Sequence, residues 1–406
     1  MRPDPYASLR FREYRAFLAA QGAVFGATQV QSAVLGWQLY AITGDPLSLG
    51  IVGLAEAVPF LALTLVGGWA ADRADRRRLS LASLLLLAAS GAWLLWLSAG
   101  STPPSALSLY LAQALAGVGR AFFRPASTAL GTELIPRESY HNAAAWRSSV
   151  FHLAMVLGPA AGGGLIALGG PRLAYAVVVA LAGAGLAAIA AIDPRPRSPA
   201  AGGRLLGELG DGVRFVFGQP LLLGAMSLDL FAVLFGGATA LLPVFARDVL
   251  RVDEVGFGLL RAAPAVGSVL MSLGLARFGH FRRAGRALLW AVALFGLSWI
   301  AFALSRSFTL SLAILAVGGA LDNVSVVLRS TLLQVYTPQE KMGRVSAVNG
   351  FFIGSSNELG AFESGVAARL LGVVPSVVLG GALTVLTVGI VAWRAPALRR
   401  LERIGP

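Results

Sequence analysis

The side chains able to do chemistry in this sequence are few, and they stand in apolar surroundings. Glu56, Asp229, Asp322 with its neighbour Asn323, Glu358 and Glu363 interrupt long hydrophobic runs, as do Arg120, Arg124 and Arg329. Inside a bilayer such a group is costly if it faces lipid, so it must face a partner or a water-filled path. A carboxyl group withdrawn from water holds a proton more readily, and one or more of these acids is expected to load and release protons. The plainer alternative is a fixed intramembrane ion pair, such as Asp322 with Arg329, or Glu56 with a polar neighbouring helix. Catalysis fits poorly. His141, His152 and His280 lack metal-ligand spacing, there is no cysteine, and no Gly-x-x-x-x-Gly-Lys-Ser/Thr phosphate loop occurs. No cofactor, no metal and no enzyme activity are expected.

The elements that hold these groups follow from composition. Of 406 residues, 56% are apolar and only 13% are charged, where a soluble domain carries about a quarter charged. Apolar segments of spanning length fall at approximately 17–42, 48–71, 79–99, 106–123, 143–168, 173–192, 221–246, 256–278, 287–304, 310–335, 345–371 and 375–393. About 20 apolar residues cross the hydrocarbon layer as a helix, so twelve transmembrane helices are expected. The N-terminal stretch to Arg15 is short and basic but leads into an apolar run too long for a cleaved leader, and reads as a retained lead-in.

The net charge of +13 suggests nucleic acid at first sight, but its distribution says otherwise. Arginines cluster in alternate loops: Arg10, Arg12 and Arg15; Arg73 with Arg76, Arg77 and Arg78; Arg137; the 193–219 stretch; Arg282, Arg283 and Arg286; and Arg399, Arg400 and Arg403, with Lys341 joining them. The intervening loops hold chiefly Arg172, Arg247, Arg251 and Arg306. This is the positive-inside pattern, and it places both termini and the middle loop in the cytosol. The partner is the lipid bilayer, with no nucleic acid.

Residues 193–219 are rich in Pro, Gly and Arg and read as a cytosolic linker between an N-terminal six-helix bundle, 1–192, and a C-terminal one, 220–406. An internal echo supports two halves: Ile135-Pro136-Arg137-Glu138 precedes span five, and Thr337-Pro338-Gln339-Glu340 precedes span eleven.

The most specific local pattern follows span two: Gly68-Trp69-Ala70-Ala71-Asp72-Arg73-Ala74-Asp75-Arg76-Arg77. It resembles the Gly-x-x-x-Asp-Arg-x-Gly-Arg-Arg signature of the major facilitator superfamily, with Asp75 where the second glycine is usual, a departure expected to make the turn less permissive. Gly158-Pro159-Ala160-Ala161-Gly162-Gly163 in span five is similar to an element of the exporters of that superfamily. Gly36-Trp37-Gln38-Leu39-Tyr40 and Gly343-Arg344-Val345-Ser346 resemble the enterobactin-exporter-like and macrolide-efflux-like branch.

The resemblance implies an all-α membrane protein of two pseudo-symmetric six-helix bundles working by alternating access. It implies that Asp72, with Gly68, Arg73, Arg76 and Arg77, holds a cytosolic gate closed against span eleven. It also implies a cavity lined by spans one, four, seven and ten, which makes Gln29, Gln31, Ser32, Arg120, Asp229, Asp322 and Asn323 candidates for proton or substrate binding, with Glu56 and Glu358 beside them. The expected function is proton-coupled export of a small amphipathic compound, siderophore-like or drug-like, by a monomer in a bacterial cytoplasmic membrane. An importer or lipid transporter of the same fold, and a non-transporting scaffold or sensor, are the alternatives.

Overall fold

The computed structural model describes residues 4–193, 205–278, 281 and 283–402, and those residues are helical with short connections. The long helices are α1 (Arg12–Thr43), α2 (Pro46–Arg73), α3 (Arg76–Ala99), α4 (Ala106–Glu133), α5 (Tyr140–Ala190), α6 (Leu205–Phe217), α7 (Pro220–Gly236), α8 (Glu254–Phe278), α9 (Ala284–Leu304), α10 (Phe308–Tyr336), α11 (Met342–Leu371) and α12 (Val373–Arg394). Helices are what such apolar runs must form, because lipid offers no partner for a free backbone N–H or C=O.

Among the described residues, nine helices are long and apolar enough to cross a membrane. One of the nine is two crossings. At about 1.5 Å per residue, the 51 residues of α5 would reach about 76 Å, far beyond the roughly 30 Å hydrocarbon layer. The helix breaks at Gly169 and Gly170, the latter at φ +68°, a conformation open to glycine and strained for other residues. Its first arm runs alongside α1 in the same direction. Tyr14 Oη donates to the Ala143 carbonyl, Gly158 lies on Gln29, and Gly162 lies on Ala33. The second arm returns, with Tyr175 Oη donating to Gln38 Oε1, Gly185 against Val24, and Asp193 N donating to Glu13 Oε1. The remaining crossings are α1 and α11, both rich in polar residues and both of ample length at 32 and 30 residues. Twelve crossings is the number these helices accommodate.

The chain packs as two units, one of residues 1–43 and 55–202 and the other of 44–54 and 203–406. In the first, Tyr14, Phe17, Leu84 and Ile189 are among the side chains of a continuous apolar core. In the second, Val216, Leu228, Leu288, Leu332 and Leu398 form another. The start of α2 belongs with this second unit, where Gly50 lies against the Phe362 backbone and Asp45 pairs with Arg369 at 3.2 Å. Large apolar side chains such as Trp96, Leu168, Trp290 and Trp393 remain exposed, as a lipid-facing surface requires.

Each unit carries the same device. In the first, Gly117 of α4 approaches the Glu56 carbonyl of α2, and Gly67 of α2 approaches the Ala121 carbonyl of α4. In the second, Gly319 of α10 approaches the Pro264 carbonyl of α8, and Gly267 of α8 approaches the Ala316 carbonyl of α10. Small residues let helix backbones touch. The echo noted in the sequence is also structural, since Arg137–Ser139 and Gln339–Lys341 both form a single 3-10 turn after a proline and lead into a long helix.

One expectation is revised here. The 193–219 stretch reads as a linker loop throughout, and residues 194–204 of it lie outside the described residues, but Leu205–Phe217 is a helix. Its end docks on the second unit: Val216 is wholly buried, Asp211 meets Arg344 at 3.4 Å, and Lys341 sits 4.8 Å from the Phe215 ring centre. Packing of an apolar face stabilises a helix that composition alone did not favour.

Candidate functional site

In the first unit the polar groups of four helices join in one chain. Arg120 of α4 forms an ion pair with Glu56 of α2. Gln113 Nε2 donates to Glu56 Oε2, and Gln31 Nε2 of α1 donates to Gln113 Oε1 at 3.1 Å and to Ser90 Oγ of α3 at 3.2 Å. Ser90 Oγ in turn donates to the Ala112 carbonyl. The Arg120 guanidinium also stands 5.4 Å from the centre of the Phe60 ring. A void of about 20 Å³ beside Gln31, Glu56 and Arg120 is large enough for one water. Glu56 thus ties α2 to α4, and Gln31 ties α1 to both α3 and α4.

Next to this chain lies a cavity of about 650 Å³, a volume in the range of small-molecule sites. Its wall is made by α1, α3, α4 and α5, and includes Gln21, Gln29, Arg120, Arg124, Arg147 and Phe151.

In the second unit Arg329 of α10 forms an ion pair with Asp229 of α7, with side-chain exposures of 5% and 9%. Asp322 lies within electrostatic reach of both. The arginine pairs with Asp229 and not with Asp322, which forms no ion pair among the described residues. Asn323 is otherwise engaged, since its Nδ2 donates to Ser268 Oγ at 2.9 Å and its Oδ1 accepts from Ser272 Oγ at 3.1 Å, which ties α10 to α8. Glu358 of α11 approaches α2 beside Gly53.

The loop after α2 is organised by its departure from the family pattern. Asp75 has φ −60° and ψ 116°, ordinary values that do not require glycine, and it is the N-cap of α3, accepting from the Arg78 N–H at 2.9 Å. The turn is not made less permissive by this aspartate. Asp75→Ala is expected to cost about 1 kcal/mol, readable as a lowered unfolding temperature, with Asp75→Asn close to wild type. Arg76 pairs with Glu133, Arg77 donates to the Ala190 carbonyl at 2.7 Å, and Arg73 stacks on Trp69. Asp72 is exposed, and among the described residues it makes no ion pair. The close approach of backbones falls on Gly67, whereas a methyl group on Gly68 would meet open space.

The glycines of the span-five element fit α5 against α1. A methyl at Gly158 would stand 2.5 Å from the Gln29 Cβ, Gly162 faces Ala33, and Pro159 and Gly163 are buried. Gly158→Val is expected to cost about 1–3 kcal/mol through overpacking, measurable by thermal unfolding in lipid nanodiscs, while Gly164→Ala, which meets open space, leaves stability within error.

Sequence reasoning passed over Arg147, Gln113, Gln21 and Arg261. Arg147 and Arg261 each carry the signal used for the others, a charge inside an apolar span.

The family model described as Major Facilitator Superfamily matches residues 17–361. The chain belongs to the Major Facilitator Superfamily, and is a multi-pass membrane transporter. It is 30% identical over 391 residues to the multidrug efflux pump Tap of Mycolicibacterium fortuitum, covering 90% of this chain and 91% of that one. It is 28% identical over 344 residues to the enterobactin exporter EntS of Shigella boydii, covering 82% and 81%. Among solved structures it superposes on a bacterial homologue of the human lysosomal transporter Spinster with a TM-score of 0.74 at 16% identity, over 100% of both chains, a likeness of fold alone.

Proposed function

We propose that this transporter exports a small amphipathic compound in exchange for protons, by alternating access, across a bacterial cytoplasmic membrane with both termini in the cytosol. The carrying observation is the group of Asp229, Asp322 and Arg329, because one acid can release its proton while the other keeps the arginine compensated. The similarity to an efflux pump and a siderophore exporter supports the direction and a siderophore-like or drug-like cargo. In this reading the Glu56–Arg120–Gln31 chain holds the first unit's helices in register, Asp72 with its arginines acts in the cytosolic gate, and Glu358, beside Gly53 at the other end of α2, stands apart from it. The chain works as a monomer.

The test is proton movement in energised inverted vesicles challenged with siderophores, macrolides and lipophilic cations. Proton release triggered by one compound is expected. Silence across the panel, with folded protein confirmed present, overturns the reading. Asp72→Asn is expected to slow export about tenfold without altering the amount of folded protein, consistent with one lost charge-assisted contact. Unchanged export would remove Asp72 from the gate. The chain has no cysteine, so a single one introduced at each terminus reports its side of the membrane by labelling with an impermeant maleimide.

A further inference from the structure

We propose that the cavity of the first unit binds an organic anion that carries an aromatic ring. The inference deepens the transport reading by naming the chemical class of its cargo.

Three helical stripes build the wall. Residues 14, 17, 21, 24, 25 and 28 of α1, 120, 124, 127, 128 and 131 of α4, and 140, 144, 147, 148 and 151 of α5 recur at three- and four-residue steps, so each set shares one helix face. Their chemistry is one-sided. Arg120, Arg124 and Arg147 line the space, and among the described residues no carboxylate does. Glu56, outside the main cavity, compensates Arg120, whereas neither Arg124 nor Arg147 forms an ion pair among the described residues. Guanidinium groups at a low-dielectric wall attract an anion strongly and repel a cation equally. Their planar fork matches a carboxylate or sulfonate by paired hydrogen bonds.

The apolar part of the wall is aromatic. Phe25 and Phe151 meet edge to face at 5.2 Å, and Phe17 and Phe123 also line the space. Such rings favour an aromatic guest over an aliphatic one of equal size. One residue of the wall holds a buried polar atom without a partner. Gln21, only 2% exposed, has an Oε1 that accepts no hydrogen bond among the described residues. Leaving it unmet is costly, and a turn of the amide toward the space would offer it to a hydroxyl or N–H on the guest.

The test uses the full chain in lipid nanodiscs, with empty nanodiscs as the blank and no ion gradient. Calorimetry compares 1-naphthoate, the neutral 1-naphthalenemethanol and the cationic 1-naphthylmethylammonium. Naphthoate is expected to bind at least about tenfold more tightly than the alcohol, and the ammonium most weakly. Arg124→Gln and Arg147→Gln should each weaken naphthoate about tenfold and leave the alcohol alone, with Arg147→Lys intermediate. Thermal unfolding confirms that each variant is folded, and the Lys variant serves if a Gln variant is not. The inference is overturned if naphthoate fails to bind, if the ammonium binds as well, or if folded arginine variants bind naphthoate like wild type. Naphthoate that binds while neither it nor any compound of the panel moves protons in energised vesicles would keep this site and sink the reading of proton-coupled export. Flux of a cation without naphthoate binding would do the reverse.

Discussion

Arg329→Gln is expected to destabilise the second unit more than any other single change in the protein. The substitution leaves Asp229 without its cation and with Asp322 within electrostatic reach, in a place where Asp229 is 7% exposed. Breaking a buried pair in this way costs about 3–5 kcal/mol, because the remaining charge keeps its desolvation penalty and loses its partner. The loss should shrink as pH falls, since protonating the two acids removes both the repulsion and the unpaired charge. Asp229→Asn combined with Arg329→Gln should recover much of it at neutral pH, leaving one acid and no stranded arginine. Thermal unfolding in nanodiscs across pH 5 to 8 reads all three. A single variant as stable as wild type at neutral pH would mean that water already solvates this group, and would withdraw it from the buried interior.

Asp322→Asn has the largest expected effect on function. Asp229 keeps its bond to Arg329 in this variant, so the fold is intact, but the second acid can no longer carry a proton. Proton-driven export should fall on the order of 100-fold, as for loss of an obligatory intramembrane proton carrier. Exchange of cargo down its own gradient should persist, because it needs no proton. Vesicles preloaded with labelled cargo separate the two readings. Driven export that survives would move the proton to Asp229 or Glu56, and loss of both activities would make Asp322 part of the cargo site instead.

The spans were legible because a helix that crosses lipid must show a long apolar run, and the break between the fifth and sixth fell at the Gly-Gly-Pro sequence where α5 turns. The family loop was legible as a pattern and less so as a mechanism. Asp75 looked like a defect until its cap on α3 was seen, and the close backbone approach falls on Gly67, just outside the family pattern. Pairing was the least accessible. Asp322 and Arg329 share a helix but are seven residues, or about 10.5 Å, apart along its axis, and the arginine reaches Asp229 on another helix instead. Such cross-helix register depends on packing between segments distant in sequence, which no pattern within one span records. For the same reason α6 was missed, as its support comes from the surface on which Phe215 and Val216 rest.

The reversal at Gly169 and Gly170 also constrains how the chain reaches its place in the bilayer. Two glycines join two arms that each cross the membrane, so no stretch of polar chain separates them. The first arm cannot pause across the bilayer while a loop is passed through behind it, because there is no loop to pass. Biogenesis must deliver both arms as one helical hairpin, and a ribosome-bound chain stopped between them would hold an unfinished crossing. Lengthening that junction by a polar insert would therefore change the order of insertion events before it changed anything in the finished transporter.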